Sequence, residues 1–316
     1  MNRIFYFILG CAIAVSAIFW VKFPKAERFA SLGGDGARLG ELDHRIEMNP
    51  KPIDIAFFGS SHTATGVADK MIEGLLGATG TPFSIVNFGT FYMGRDLQLF
   101  ELKRLLSRRK PRLVVIEVTE HEYEFGHEHL PYIGDPSDLF CCKFYLDPYF
   151  PKHIALYLKL QATHALQDAT GNAPSLAPVD TWDHGWRPYM RQWSLAEYAA
   201  AMGPPGRWGG LKERIHAKAS AYGLDVVRRM LAEARAKNVR VAFLYLPSIR
   251  YIGRKTPVGR DEYTPFGPVI DFPLALRDEP GIWYDEAHLN QQGAEKLAPF
   301  IADGLRNLLA QASPNQ

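Results

Sequence analysis

Short apolar runs alternate with longer amphipathic stretches along most of this chain. Ile53 to Phe58, Phe83 to Asn87, Leu113 to Val118 and Val239 to Leu246 are brief and rich in β-branched and aromatic residues, the pattern of buried strands. Between them, Thr63 to Gly80 reads as a turn and a weakly amphipathic helix. Arg95 to Arg109 reads as a helix whose Leu97, Phe100, Leu102, Leu105 and Leu106 form a core face. Leu211 to Lys237 predicts a long helix before the fourth strand, and a short fifth strand is expected at Ile282 to Tyr284. A final helix starts after Asn290, a good N-cap, with Ala294, Leu297, Ile301, Leu305 and Leu308 inward; Pro299 is expected to kink or break it. Strands alternating with helices imply right-handed crossovers and an α/β fold: a flavodoxin-like parallel five-stranded sheet flanked by helices, with reactive residues at the carboxyl ends of the strands.

Two stretches break this rhythm. Ile4 to Val21 is apolar without a charge and long enough to cross most of a bilayer's hydrocarbon core, which makes residues 1–22 a transmembrane helix or an export signal. Val15-Ser16-Ala17 offers a signal-peptidase site and Ile8-Leu9-Gly10-Cys11 a loose lipoprotein box. The apolar run continues past both, through Ile18-Phe19-Trp20-Val21, which favours an uncleaved anchor. Arg3 precedes the span while Lys22, Lys25 and Arg28 follow it, so the positive-inside rule alone would leave the rest of the chain in the cytoplasm. Residues 23–52 then read as a linker containing Gly33-Gly34-Asp35-Gly36, with a short helix from Leu39 to Met48 lying against the domain.

The second break falls inside the domain that spans 53–316. From about 119 to 210 the periodicity fades into an insertion with short helices of its own, one over Lys152 to Asp168. Trp182, Trp186, Trp193 and Trp208 lie in it, among Tyr145, Tyr149, Tyr189 and Tyr198. Core filling is the expected role of most of these rings, while their concentration also fits an extended acceptor-binding surface.

Composition narrows the classes. A net charge of +2 over 316 residues argues against a nucleic-acid partner. Arg104, Arg108, Arg109, Lys110 and Arg112 read as a solvated helix end and loop. Cys11, Cys141 and Cys142 make neither a disulfide framework nor a zinc pattern, and a bond between the adjacent pair would be strained, so free thiols are expected ahead of the alternative, an unusual redox pair. His121-Glu122-Tyr123-Glu124-Phe125-Gly126-His127-Glu128-His129 does not match His-Glu-x-x-His and reads as an exposed polar loop. No metal or other cofactor is called for.

The candidate chemistry sits at two distant points. Phe57-Phe58-Gly59-Ser60-Ser61-His62 places a hydroxyl where a buried strand turns into a helix, beside backbone N–H groups and the positive end of a helix dipole. Near the other end, Tyr284-Asp285-Glu286-Ala287-His288-Leu289-Asn290 puts Asp285 and His288 three residues apart, so that the carboxylate can hold one imidazole nitrogen and leave the other as a base. Serine early, acid and base late, all at strand-to-helix junctions, is a triad layout. Arg250, Arg254 and Arg260, in the Pro- and Gly-containing stretch from 247 to 281, face either an anionic acceptor or solvent.

On these residues the chain resembles the SGNH/GDSL hydrolase superfamily, whose Gly-x-Ser block after the first strand is matched by Gly59-Ser60-Ser61 and whose Asp-x-x-His block is matched by Asp285 to His288. The resemblance makes Ser61 the nucleophile, His288 the base and Asp285 its orienter. It also makes the N–H groups at Ser61 and Gly89, the latter in Asn87-Phe88-Gly89, the oxyanion donors. The family's Gly-x-Asn-Asp block is replaced by Val118-Thr119-Glu120-His121, so Thr119 and His121, with Asn87, become candidate oxyanion or acceptor contacts. With its anchor and aromatic insertion, the chain looks like the membrane-anchored proteins of polysaccharide O-acetylation and lipoteichoic acid D-alanylation. That likeness implies an O-acyltransferase with a polysaccharide acceptor. It also implies a membrane-bound O-acyltransferase partner that supplies the acyl group, and a domain on the outer face of the cytoplasmic membrane. A carbohydrate esterase or lipase-like hydrolase of the same fold, or a catalytically inactive glycan-binding scaffold, are the alternatives.

Overall fold

Five parallel strands form the centre of the molecule, in the order β2-β1-β3-β4-β5. They are β1 (Ile55–Gly59), β2 (Ile85–Gly89), β3 (Leu113–Val118), β4 (Arg240–Tyr245) and β5 (Val269–Ile270). The structure is a computed structural model that describes residues 5, 6, 10, 23, 25–78, 80, 82–119, 122, 124–172, 183–201, 221–248, 260–273, 276 and 279–311. Ile55 lies opposite Ile85 on one side and Leu113 on the other, and Gly59 pairs with Gly89 at the carboxyl edge. Every residue of β1, β2 and β3 is buried, which is why those runs lack alternation: a parallel sheet covered on both faces needs apolar side chains on both.

The covering helices are α1 (Lys25–Ala30), α2 (Gly34–Glu47), α3 (Ser61–Gly66), α4 (Asp69–Gly77), α5 (Arg95–Arg108), α6 (Phe150–Ala169), α7 (Ala221–Ala236) and α8 (Gln291–Ala310). α5 packs with α7, and α4 with α8. The order reverses between β1 and β3, and in open α/β sheets such a reversal leaves a crevice at the carboxyl ends of the strands.

Several expectations change. In the segment 23–52 the expected helix against the domain is present, with Leu42 and Ile46 in the main core, but it begins earlier, as α2 from Gly34, and a further helix, α1, replaces part of the linker before it. The basic cluster after Leu102 holds α2 there. Arg104 pairs with Asp43 and Glu47 of α2, Arg108 with Glu47, and Arg109 donates to the carbonyls of Ile46 and Asn49. The predicted strand at 282–284 is instead a 3-10 turn, Pro280–Ile282, followed by a single bridge from Trp283 to Leu289. The edge strand is β5, thirteen residues earlier in the chain. α8 runs unbroken through Pro299.

The insertion contributes α6 and the turns Leu130–Ile133 and Pro136–Leu139. These pack with Phe29, Leu39, Leu97 and Phe100 as a second apolar cluster beside the main one. Trp186 and Trp193 pack on the main core, as expected of most of the aromatic residues, whereas Trp182 and Trp208 lie outside the described residues. So do Arg250 and Arg254, while Arg260 pairs with Asp271. The run from Ile4 to Val21 falls almost entirely outside them too. Among the described residues no helix is long and apolar enough to cross a membrane.

Candidate active site

The Phe57–His62 turn is built around a buried carboxylate. Ser60 caps α3, its Oγ accepting from the His62 N–H at 3.3 Å. Beneath it lies Glu117, fully buried on β3. Its carboxylate accepts from Ser60 N–H (2.8 Å), Ser60 Oγ (2.8 Å), Thr63 N–H (3.2 Å) and Thr63 Oγ1 (2.6 Å). Gly59 is required by space: a Cβ there would collide with Thr63 Oγ1 and Glu117 Oε2. Burial pushes the Glu117 carboxyl up, but His62, Arg95 and the hydrogen bonds from Thr63 and Ser60 outweigh it and hold the group below its ordinary value. Glu117 is therefore an ionised clamp that fixes the residues on both sides of Ser61.

The two ends of the chain meet at Ser61. Its Oγ lies 2.7 Å from His288 Nε2. His288 Nδ1 lies 2.8 and 2.9 Å from the two oxygens of Asp285. Asp285 Oδ1 also accepts from the N–H groups of Ala287 and His288, both at 2.8 Å, so the loop's own backbone orients the carboxylate. Burial raises the Asp285 carboxyl, while His288 and these N–H groups lower it by more, leaving it below the usual carboxylate range. An ionised Asp285 selects the tautomer with the proton on Nδ1, and Nε2 is left to accept the Ser61 proton. All three residues are half-buried.

Other predicted contacts do not join them. The Gly89 N–H donates to Asn87 Oδ1 at 2.8 Å, so it points inward and is no oxyanion donor. Asn87 is itself buried, its amide donating to the carbonyls of Thr63 (2.7 Å) and Val67 (2.8 Å); it ties α3 to β2 and touches no cleft. Gly89 lets α3 approach, since a Cβ would strike the Ala64 backbone. Thr119 is buried and donates to Glu122 Oε1 at 2.9 Å. It belongs to a network in which Arg95 binds Glu122, the Glu117 carbonyl and Tyr263. His121 lies outside the described residues.

Among the described residues the Ser61 N–H meets no acceptor, whereas the His62, Thr63 and Ala64 N–H groups bind Ser60 Oγ, Glu117 and the Ser60 carbonyl.

Ser61 and His288 open into a cleft of about 520 Å³, lined also by Phe91, Tyr92, Met93, Phe125, Gly126, Glu128, Tyr149, Lys152, His153 and Tyr189. Three of its features were not legible in the sequence. Tyr189, in the strap that closes the insertion, sets its ring against the edge of His288, centroids 5.6 Å apart, and stacks on Tyr284 at 4.0 Å. The strap is bound across the site: Trp186 Nε1 donates to the Thr65 carbonyl (2.7 Å) and Gln291 N–H to the Tyr189 carbonyl (2.8 Å). Tyr92, at the cleft wall, holds a left-handed φ of 68°.

The third is the stretch 122–129, which is no exposed loop: Glu122, His127 and His129 are all buried. His127 Nδ1 accepts from the His129 N–H (3.1 Å) and Nε2 reaches the Phe91 carbonyl (2.8 Å), which fixes the wall of the cleft. Burial drives the His127 imidazole down to about 3, so it is neutral. His62, its ring edge-on to His288 with centroids 5.1 Å apart, is also pulled down by burial, against the opposing pull of Glu117.

A comparison with protein-family models gives no match, and a comparison with curated proteins gives no similar sequence.

Proposed function

We propose that the protein is a serine-dependent O-acyltransferase of the SGNH type, moving an acyl group, most simply acetyl, onto a hydroxyl of an exported or cell-surface polysaccharide. The observation that carries this reading is the Ser61–His288–Asp285 relay, with contacts of 2.7 and 2.8 Å, opening into a cleft with aromatic walls. His288 Nε2 takes the Ser61 proton as Oγ attacks the acyl carbonyl carbon, and the Ser61 N–H donates to the oxyanion. The carbonyl re-forms as the leaving group departs with the proton from His288, giving an acyl-serine. An acceptor hydroxyl then attacks, His288 taking its proton, and Oγ leaves with that proton restored.

Phe91, Tyr92, Phe125, Tyr149 and Tyr189 give the cleft faces on which sugar rings can stack. The 4–21 segment supports a single-pass anchor in the cytoplasmic membrane beside a membrane-bound O-acyltransferase that delivers the acyl group. Export is the orientation we favour. Arg28, one of the cations that opposed it, is 5 % exposed and bound to the carbonyls of Ile133 and Gly134, so it belongs to the fold and not to a membrane-facing patch.

The purified chain given an aryl acetate, with and without an oligosaccharide, tests the reading. Acetyl should pass to the sugar in an acceptor-dependent reaction, and Ser61→Ala should abolish it together with labelling by a fluorophosphonate. Acetate released to water at a rate indifferent to the sugar would make the protein an esterase. Absence of labelling in the unmodified protein would leave a binding scaffold.

A further inference from the structure

We propose that Cys141 and Cys142 form a redox site, a vicinal dithiol that closes reversibly to a disulfide ring through their shared peptide bond by exchange with a low-molecular-weight disulfide. The two sulfur atoms lie 2.7 Å apart, closer than unbonded sulfurs rest and not far above a disulfide's length of about 2.05 Å. Both residues are half-buried, which leaves them within reach of a small reagent. Cys142 holds φ at 58°, a left-handed conformation that few residues other than glycine adopt. The chain accepts that cost here in a turn that brings both thiols to the same side, although the two side chains of adjacent residues in an extended segment point apart.

The turn is held from outside. Lys143 N–H and Nζ both reach the Asp225 carboxylate on α7, at 3.2 and 3.6 Å, and Cys141 N–H donates to the Asp138 carbonyl at 3.3 Å. On its far side it runs through the 3-10 turn Phe144–Leu146 to Asp147, which pairs with the cleft residue His153 at 3.4 Å. A change at the sulfurs therefore acts on a turn anchored to the main core at one end and to the cleft wall at the other.

The step balances as ordinary exchange. One thiolate attacks oxidised glutathione, forming a mixed disulfide and releasing one glutathione thiol. The neighbouring thiolate then attacks the protein sulfur of that mixed disulfide and releases the second. The protein loses two electrons and two protons, and the glutathione disulfide gains them. Adjacent Cα atoms lie about 3.8 Å apart, short of the roughly 4.4–6.8 Å that relaxed disulfides prefer. The ring is therefore strained and easily reopened, as a switch is and a structural crosslink is not.

The test uses the full chain, equilibrated in glutathione buffers from fully reduced to fully oxidised, quenched with iodoacetamide and mapped by mass spectrometry. The peptide containing residues 141 and 142 should pass from doubly alkylated to unalkylated and two hydrogens lighter. It should return on addition of reduced glutathione, with its midpoint at a more oxidising ratio than structural disulfides show. A peptide that stays doubly alkylated in fully oxidised buffer, that accumulates a stable glutathione adduct, or that links to Cys11 or a second chain would overturn the proposal.

Discussion

Replacing Glu117 by glutamine tests whether the buried carboxylate sets the geometry of the nucleophile. Glu117 Oε2 accepts from Ser60 N–H, Thr63 N–H and Thr63 Oγ1, and Oε1 from Ser60 Oγ. A glutamine that keeps its carbonyl oxygen at the Oε2 position preserves the first three bonds but turns each from charged to neutral, a loss of about 1 kcal/mol apiece. Its amide then faces Ser60 Oγ, which must reverse from donor to acceptor while still accepting from His62 N–H. Removing a buried charge returns part of this, so the expected destabilisation is about 2 kcal/mol in urea unfolding. Glu117→Ala, which leaves the donors unpaired at roughly 1–3 kcal/mol each, should not fold stably.

Because Ser60 and Thr63 flank the nucleophile, the glutamine variant should also lose on the order of 100-fold in kcat on an aryl acetate with KM little changed, the scale of a 1 Å misplacement. The sign with pH follows from a carboxyl held below its ordinary value of 4.5. The wild-type advantage over the variant is complete above that pH and disappears as pH falls through the lower folded value. A glutamine variant with wild-type stability at neutral pH and wild-type kcat would refute the clamp.

Three further outcomes are expected. Asp285→Asn, which breaks the tautomer selection at His288 Nδ1 and turns the bonds from Ala287 and His288 N–H from charged to neutral, should cost about 1–2 kcal/mol in urea unfolding and lower kcat by on the order of 10⁴-fold in the same assay. Gly89→Ala drives a Cβ into the Ala64 backbone and should destabilise by about 1–3 kcal/mol or more, lowering the thermal midpoint. His127, held down to about 3, makes the fold acid-sensitive. The unfolded chain takes up this proton near pH 6.5 and the folded one does not, so stability should fall between about pH 6.5 and 3 at up to 1.4 kcal/mol per unit, and a His127→Asn variant should show a shallower decline.

The sheet was legible because its strands are buried on both faces, which leaves uninterrupted apolar runs; β3 falls at Leu113–Val118 as predicted, and β1, β2 and β4 within two residues. The Ser60-Ser61 pair at a strand-to-helix turn and the Asp285–His288 spacing stood out by local chemistry, whereas singling out Ser61 came from the family resemblance and the meeting of the three side chains needed the fold. What failed to show depends on partners far away in sequence. Pro280 and Gly281 turn the chain into a 3-10 helix where its apolar residues suggested a strand, and the edge position went to Val269–Ile270, which carries no stronger signal. The arginines of α5 looked solvated because Asp43 and Glu47 lie some sixty residues earlier. Glu117 did leave a trace, as the single charge in an apolar strand, but its meaning required Ser60 and Thr63 beside it.

The oxyanion site shows how such distant contacts alter chemistry. Arg38 of α2 donates to the carbonyls of Asn87 (3.1 Å) and Gly89 (2.8 Å), fixing the peptide planes at the end of β2. The Asn87 amide is anchored in turn to Thr63 and Val67, so its Oδ1 can release the Gly89 N–H only by breaking both bonds. One oxyanion donor is worth roughly 10²–10³ in kcat. With the Gly89 donor withdrawn and no asparagine after β3, the Ser61 N–H works with less help than the resemblance implied. If Ser61 carries an acyl group as proposed, attack by water and attack by an acceptor hydroxyl are slowed alike, since both form the same oxyanion, and only positioning of a bound acceptor, which reaches far larger factors, separates them. On the proposed reading, preference for transfer over hydrolysis therefore rests on the cleft that would hold the acceptor and not on the loss of an oxyanion donor.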